Sequence, residues 1–193
     1  MNLKLFIQNL YSRALGIIGS PKEEWIKIKE ENASIGHLIV NFALPLLLIT
    51  GLSSTVGTYI HQDGKSLSTV LLVIAGLRPI LSITFSLGFS ILSISALIRS
   101  YGGNPDPAIA TKLVFFTFLP LILVTIILGM APDIYFAGLF SLYSFYILFF
   151  GAQVLPEIES ERQLNFSMLS STMILATYII LNYILSAIFG AIQ

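Results

Sequence analysis

The chain of 193 residues is 55% hydrophobic and 10% charged, has a formal net charge of zero and contains no cysteine. A soluble domain carries about 25% charged residues, so this composition excludes one, and the lack of thiols excludes disulfides, Cys-ligated metals and a cysteine nucleophile. With no basic excess, no nucleic acid is expected as a partner, and the expected partner is the lipid bilayer.

At the N-terminus, Leu3, Phe6, Ile7, Leu10, Ala14 and Ile17 recur at helical spacing, with Lys4, Gln8, Asn9, Ser12 and Arg13 on the other face. This pattern predicts an amphipathic helix lying in the membrane interface. Lys4 and Arg13 interrupt the apolar stretch, so no signal peptide is expected. Ser20-Pro21-Lys22-Glu23 predicts a second helix, with Ser20 as cap, Pro21 at the first helical position and Glu23 closing a capping box. The amphipathic ring of Trp25 suits the headgroup level. The two helices are read either as an anchor that covers the bundle or as a docking platform for a cytosolic partner.

A bilayer core about 30 Å thick needs about 20 apolar residues in a helix. Segments 36–60, 79–98, 113–131, 134–152 and 166–190 meet this condition. The expected fold is therefore all-α and polytopic, with cytoplasmic or interfacial helices over 1–35 and a five-helix transmembrane domain over 36–193. Only Pro132-Asp133 separates the third and fourth segments, which predicts a tight antiparallel hairpin. Ahead of the second, Arg78-Pro79 interrupts an apolar run that starts at Leu67. A single helix from Leu67 to Arg99 would be about 50 Å long, so Arg78 is placed near one interface and 67–77 is read as a helical extension or a re-entrant piece.

Ten residues are Lys or Arg. With the N-terminus in the cytoplasm, all but Lys65 and Arg78 fall inside, which predicts N-terminus in and C-terminus out. Arg78 is the one charged residue deep in an apolar run. It is read as a snorkelling anchor or as a functional group, with Asp63 and Asp133 as candidate partners.

The first and third spans echo each other, Leu44-Pro45-Leu46-Leu47-Leu48-Ile49-Thr50 against Leu119-Pro120-Leu121-Ile122-Leu123-Val124-Thr125. Pro45 and Pro120 should each kink a helix and free the carbonyls of Asn41 and Phe116. The repeat is read as ordinary proline kinks or as a duplicated unit with a polar site at its interface. Ser82, Ser86, Ser90 and Ser93 share one face of the second span, a close-packing surface or a hydrated path, and Leu87 is placed toward lipid. Tyr178, Asn182, Ser186 and Gly190 form another stripe. Asn182 is expected to bond across a helix pair or to mark a homo-oligomer contact. His37 and His61 lie at opposite ends of the first span and cannot share a metal. No metal site, cofactor or catalytic residue is expected.

Ser20-Pro21-Lys22-Glu23-Glu24-Trp25, the span around Leu44-Pro45-Leu46, the span end Ile98-Arg99-Ser100-Tyr101-Gly102-Gly103-Asn104 and the span with Phe118-Leu119-Pro120 follow in a recognisable order. Together they resemble the Yip (Ypt-interacting protein) family of five-span membrane proteins, over essentially the whole chain. The resemblance marks Pro21, Trp25, Gly102 and Gly103 as motif residues. Gly102-Gly103 suits a helix end with positive φ, and Asp106-Pro107 suits the start of the next helix. Eukaryotic members bind Rab-type GTPases and act in vesicle traffic. The short N-terminal region is closer to the compact prokaryotic branch, so a bacterial inner membrane is expected and the architecture is carried over without the Rab partner. The expected function is non-enzymatic: membrane organisation or scaffolding, by packing with itself or with a membrane partner. The alternative is a small transporter or lipid-handling protein with a polar site between the first and third spans, its small-molecule ligand unknown.

Overall fold

The computed structural model describes residues 3–31, 34–61 and 68–190, the side chains of residues 3 and 5 excepted. Asp63, Lys65 and Leu67, named above, lie outside them. Among the described residues there are helices and no strand. Helices α1 (Leu3–Gly19) and α2 (Pro21–Glu30) precede five that are long and apolar enough to cross a membrane. These are the first span Ile35–His61, the second Thr69–Ser100, the third Pro107–Met130, the fourth Tyr135–Val154 and the fifth Ser160–Gly190.

The third span forms the centre. It has the highest mean hydropathy of the five, 2.7, and 61% of its apolar window is buried, against 6% for the fifth. A helix that is apolar on every side is stable when neighbours surround it. Phe115, Phe116, Phe118, Leu121 and Ile122 are all buried. Around it the first span runs parallel: Phe42 meets Phe116 with ring centroids 5.9 Å apart near one end, and Gly57 meets Gly129 near the other. The second and fifth spans run antiparallel to each other, with Tyr101 against Phe166 at one end and Ser82 near Asn182 toward the other.

Several expectations change in detail. The second span is one 32-residue helix with Pro79 inside it. From Thr69 onward, then, the run before Arg78 is a helical extension and not a re-entrant piece. Ser68 caps it by accepting from the Leu71 amide at 3.2 Å. The first half of the fourth span is a 3-10 helix, Tyr135–Leu142, followed by α-helix from Tyr143. At about 2.0 Å per residue in place of 1.5, this stretches the shortest span to roughly 34 Å. Before it, Ala131–Ile134 makes the expected tight turn, closed by the Ile134 amide on the Ala131 carbonyl at 3.1 Å.

The two prolines of the repeated motif are accommodated differently. Ahead of Pro45 the helix widens into a π segment, Ile39–Ala43, in which the Leu44 amide bonds to the Ile39 carbonyl. At Pro120 the helix breaks instead: one α-segment ends at Thr117 and the next starts at Leu119. Beyond both prolines the motif behaves alike. Thr50 donates to the Leu46 carbonyl at 2.7 Å and Thr125 to the Leu121 carbonyl at 2.8 Å.

The second span ends as its glycines suggest. Gly102 has φ 74°, its amide donates to Arg99, and the Gly103 amide donates to Ile98 at 2.9 Å. This is the Schellman closure. Gly103 is needed for space, since a Cβ there would lie 2.5 Å from the Pro156 carbonyl oxygen. Asp106 then caps the third span by accepting from the Ala108 amide at 2.9 Å, with Pro107 at the first position.

Candidate functional site

The N-terminal helices are bonded into the bundle. Trp25 is fully buried, and its Nε1 donates to the Ile147 carbonyl at 2.9 Å. The ring expected to sit among headgroups is thus enclosed by protein. The physical reason lies at Gly151: a Cβ there would come within 2.7 Å of the indole, so its absence lets the ring reach the helix backbone. Phe116 meets the same ring edge-on at 5.8 Å. Two further bonds cap helix ends. The Tyr143 hydroxyl donates to the Ile18 carbonyl at 2.6 Å, and Lys112 Nζ donates to the Glu31 carbonyl at 2.9 Å. Orphan carbonyls at helix C-termini are favourable sites for such donors.

Pro21 starts α2 as expected, but Ser20 makes no side-chain cap. The Ser20 amide already bonds to the Gly16 carbonyl at 2.9 Å, completing the last turn of α1. Hence no free amide remains for Glu23, and the capping box does not form. The neighbouring carboxylate carries the charge chemistry. Glu24 accepts from Arg13 at 2.7 Å and pairs with Lys27 at 3.0 Å, while Arg13 also pairs with Glu31. A groove of about 670 Å³ runs beside these groups, lined also by His37, Asn41 and Phe42.

A second cavity, about 680 Å³, lies at the far end of the bundle and is lined by residues of all five spans. Arg78, Asn182, Ser186 and Tyr178 line it, with Ser54, Thr58 and His61 of the first span and Thr125 of the third. Thr125 gives its proton to the Leu121 carbonyl, so its lone pairs accept from the Tyr178 hydroxyl, 3.1 Å away. Ser82 donates to Asn182 Oδ1 at 3.5 Å. Arg78 makes no ion pair with Asp133 or any other described carboxylate. The pairing expected with Asp133 is absent, and Asp63 lies outside the described residues.

The candidate residues thus divide. Arg78 and Asn182 share the far cavity, while Asn41 lines the groove near α1 and donates to the His37 carbonyl at 3.0 Å within its own helix. Ser82, Ser86 and Ser90 are buried on the packed face of the second span, and the Ser86 and Ser90 hydroxyls have no partner. Leu87 is also buried, which corrects its lipid-facing placement; Leu92, at 69% exposure, is the outward leucine. Tyr143, Lys112 and the pair Gly57–Gly129 were not singled out by sequence. Only Thr125, as the repeat partner of Thr50, carried a visible signal. Among the described residues no cluster of three or more His, Cys, Asp or Glu could hold a metal.

Five packed apolar helices, with two more tied to one end, define a polytopic α-helical membrane protein. The Yip1 domain matches residues 15–189, and the chain belongs to the Yip1 family. No curated protein and no solved structure matches it.

Proposed function

We propose that this protein is a non-enzymatic organiser of the bilayer, acting through the α1–α2 unit held rigidly on the five-helix domain. The observation that carries the reading is the outer face of α1. Ile7, Tyr11 and Leu15 recur one turn apart and are each at least half exposed, while Trp25, Tyr143 and Lys112 bond the unit to the bundle. An apolar row fixed on a rigid support inserts as a wedge into one leaflet, because burying it in the acyl boundary is favourable. The Lys and Arg distribution supports a cytoplasmic place for this face and an outside place for the C-terminus. Partners of this face, whether a second copy or another membrane protein, would meet it in the plane of the bilayer.

The test is reconstitution into vesicles with imaging of vesicle shape. Wild type is expected to narrow or tubulate them, and the triple change Ile7→Ser, Tyr11→Ser, Leu15→Ser to abolish this while the bundle stays folded. Equal remodelling by both would defeat the wedge. Reporter fusions at Gly103 and Glu159 should report cytoplasm, and one at Gln193 the outside.

A second reading, a carrier or lipid-handling protein, is favoured by one specific observation: Arg78 and Asn182, far apart in sequence, line one cavity. Asn41 takes no part in it, so the site this reading needs lies at the far end of the bundle.

A further inference from the structure

An arginine inside an apolar helix is retained when it is paired or faces a hydrated cavity. Arg78 faces the cavity and has no ion-pair partner among the described residues. No Asp or Glu is among the described lining residues. Two neutral donors converge on the same space. Asn182 uses its Oδ1 to accept from Ser82, and its amide N–H groups have no described partner; Ser186 lies one turn further along the same helix. Tyr178 is excluded as a donor to a ligand, because its proton goes to Thr125.

Pro79 lacks the amide that would bond to the Ala75 carbonyl one turn back, which leaves that carbonyl without its usual helical donor, and both residues line the cavity. The remaining wall is apolar, with Leu71, Ile74, Leu121, Val124 and Leu128. A cation, neutral donors, a carbonyl without its helical donor and an apolar wall are together complementary to an amphiphile whose head carries an anionic phosphate and a hydroxyl. The guanidinium fork suits phosphate oxygens in particular. The volume, about 680 Å³, lies within the range of roughly 300–1,000 Å³ typical of ligand sites.

We propose that the far cavity binds the phosphate group of an anionic lipid, with the Arg78 guanidinium as the anion-binding group and Asn182 and Ser186 as neutral donors. This rests on the lipid-handling reading and gives it a ligand class.

The experiment is native mass spectrometry of the whole chain released from nanodiscs holding equal phosphatidylglycerol and phosphatidylcholine. Wild type is expected to retain phosphatidylglycerol preferentially. Arg78→Gln should cut that retention by about tenfold, the scale of a lost charge-assisted pair, and leave phosphatidylcholine unchanged. Arg99→Gln, at the other end of the same helix, should retain as wild type does. Equal retention of both lipids by wild type and Arg78→Gln overturns the Arg78 site but leaves lipid handling standing. Retention of neither lipid overturns both. A thermal-shift arm separates the sources of phosphate: stabilisation by glycerol phosphate or inorganic phosphate equal to that by phosphatidylglycerol overturns the lipid assignment. If Arg78→Gln does not fold, Asn182→Asp serves instead. It sets a carboxylate in the cavity and should expel phosphatidylglycerol; undiminished retention by that variant counts against the proposal.

Discussion

Gly57 lies so close to the third span that a Cβ on it would sit 1.8 Å from the Gly129 carbonyl oxygen. The obstacle is backbone, which cannot swing aside like a side chain. Gly57→Ala must therefore push the first and third spans apart, at a cost of about 1–3 kcal/mol. Gly88, with nothing within 4 Å, is the matched control, and Gly88→Ala should leave stability unchanged or slightly raised. Thermal unfolding in one detergent checks both, and equal melting temperatures would remove the close contact.

Trp25 is the chain's one tryptophan, so its fluorescence reports one site. A fully buried indole should emit at short wavelength and resist quenching by acrylamide in intact protein. Ready quenching would return the ring to the interface. Trp25→Phe removes the bond to the Ile147 carbonyl and should cost about 1–3 kcal/mol.

The serine face separates packing from hydrogen bonding. Ser86 Oγ is buried without a partner, so Ser86→Ala should be neutral or mildly stabilising. Ser86→Leu should destabilise by at least about 1–3 kcal/mol through overpacking. Leu92→Ile, at an outward position, should be tolerated. Urea or thermal melts that rank Leu92→Ile below Ser86→Leu would show the face to be assigned the wrong way.

The Glu24 carboxylate is 8% exposed and meets Arg13 at 2.7 Å. Removing the guanidinium leaves it with Lys27, which is itself well exposed. Arg13→Ala should cost about 3 kcal/mol and loosen α1 from α2, which speeds cleavage within α1 by protease. Lys29→Ala, which breaks the exposed pair with Glu157 at 3.5 Å, should change stability by less than about 1 kcal/mol. Similar cleavage rates for the two variants would mean that Glu24 is not what holds α1 to α2.

The parts of the fold legible in sequence were those fixed by local chemistry. Span existence follows from runs of apolar residues, and the end of the second span from the Gly102-Gly103 pair, whose backbone needs are short-range. Asp106-Pro107 started the third span for the same reason. What failed depended on neighbours. Leu87 and Leu92 are alike in sequence, and a bilayer is as apolar as a bundle core, so periodicity does not say which one faces lipid. The Ser20 capping motif was intact but lost its amide to Gly16. Arg78 and Asn182 were both singled out, yet their meeting depends on how the second and fifth spans cross.

Trp25 meets an acceptor 122 residues further along the chain, and Ile18 a donor 125 residues further. During synthesis α1 and α2 emerge before the five spans, and the fourth span, which carries the partners of Trp25 and Ile18, is made after three of them. No short-range step can dock them. Lys112 of the third span can give them a first hold, but the acceptor for Trp25 and the Tyr143 donor come only with the fourth span, so full docking becomes a late checkpoint of assembly, reached only by chains whose bundle is nearly complete.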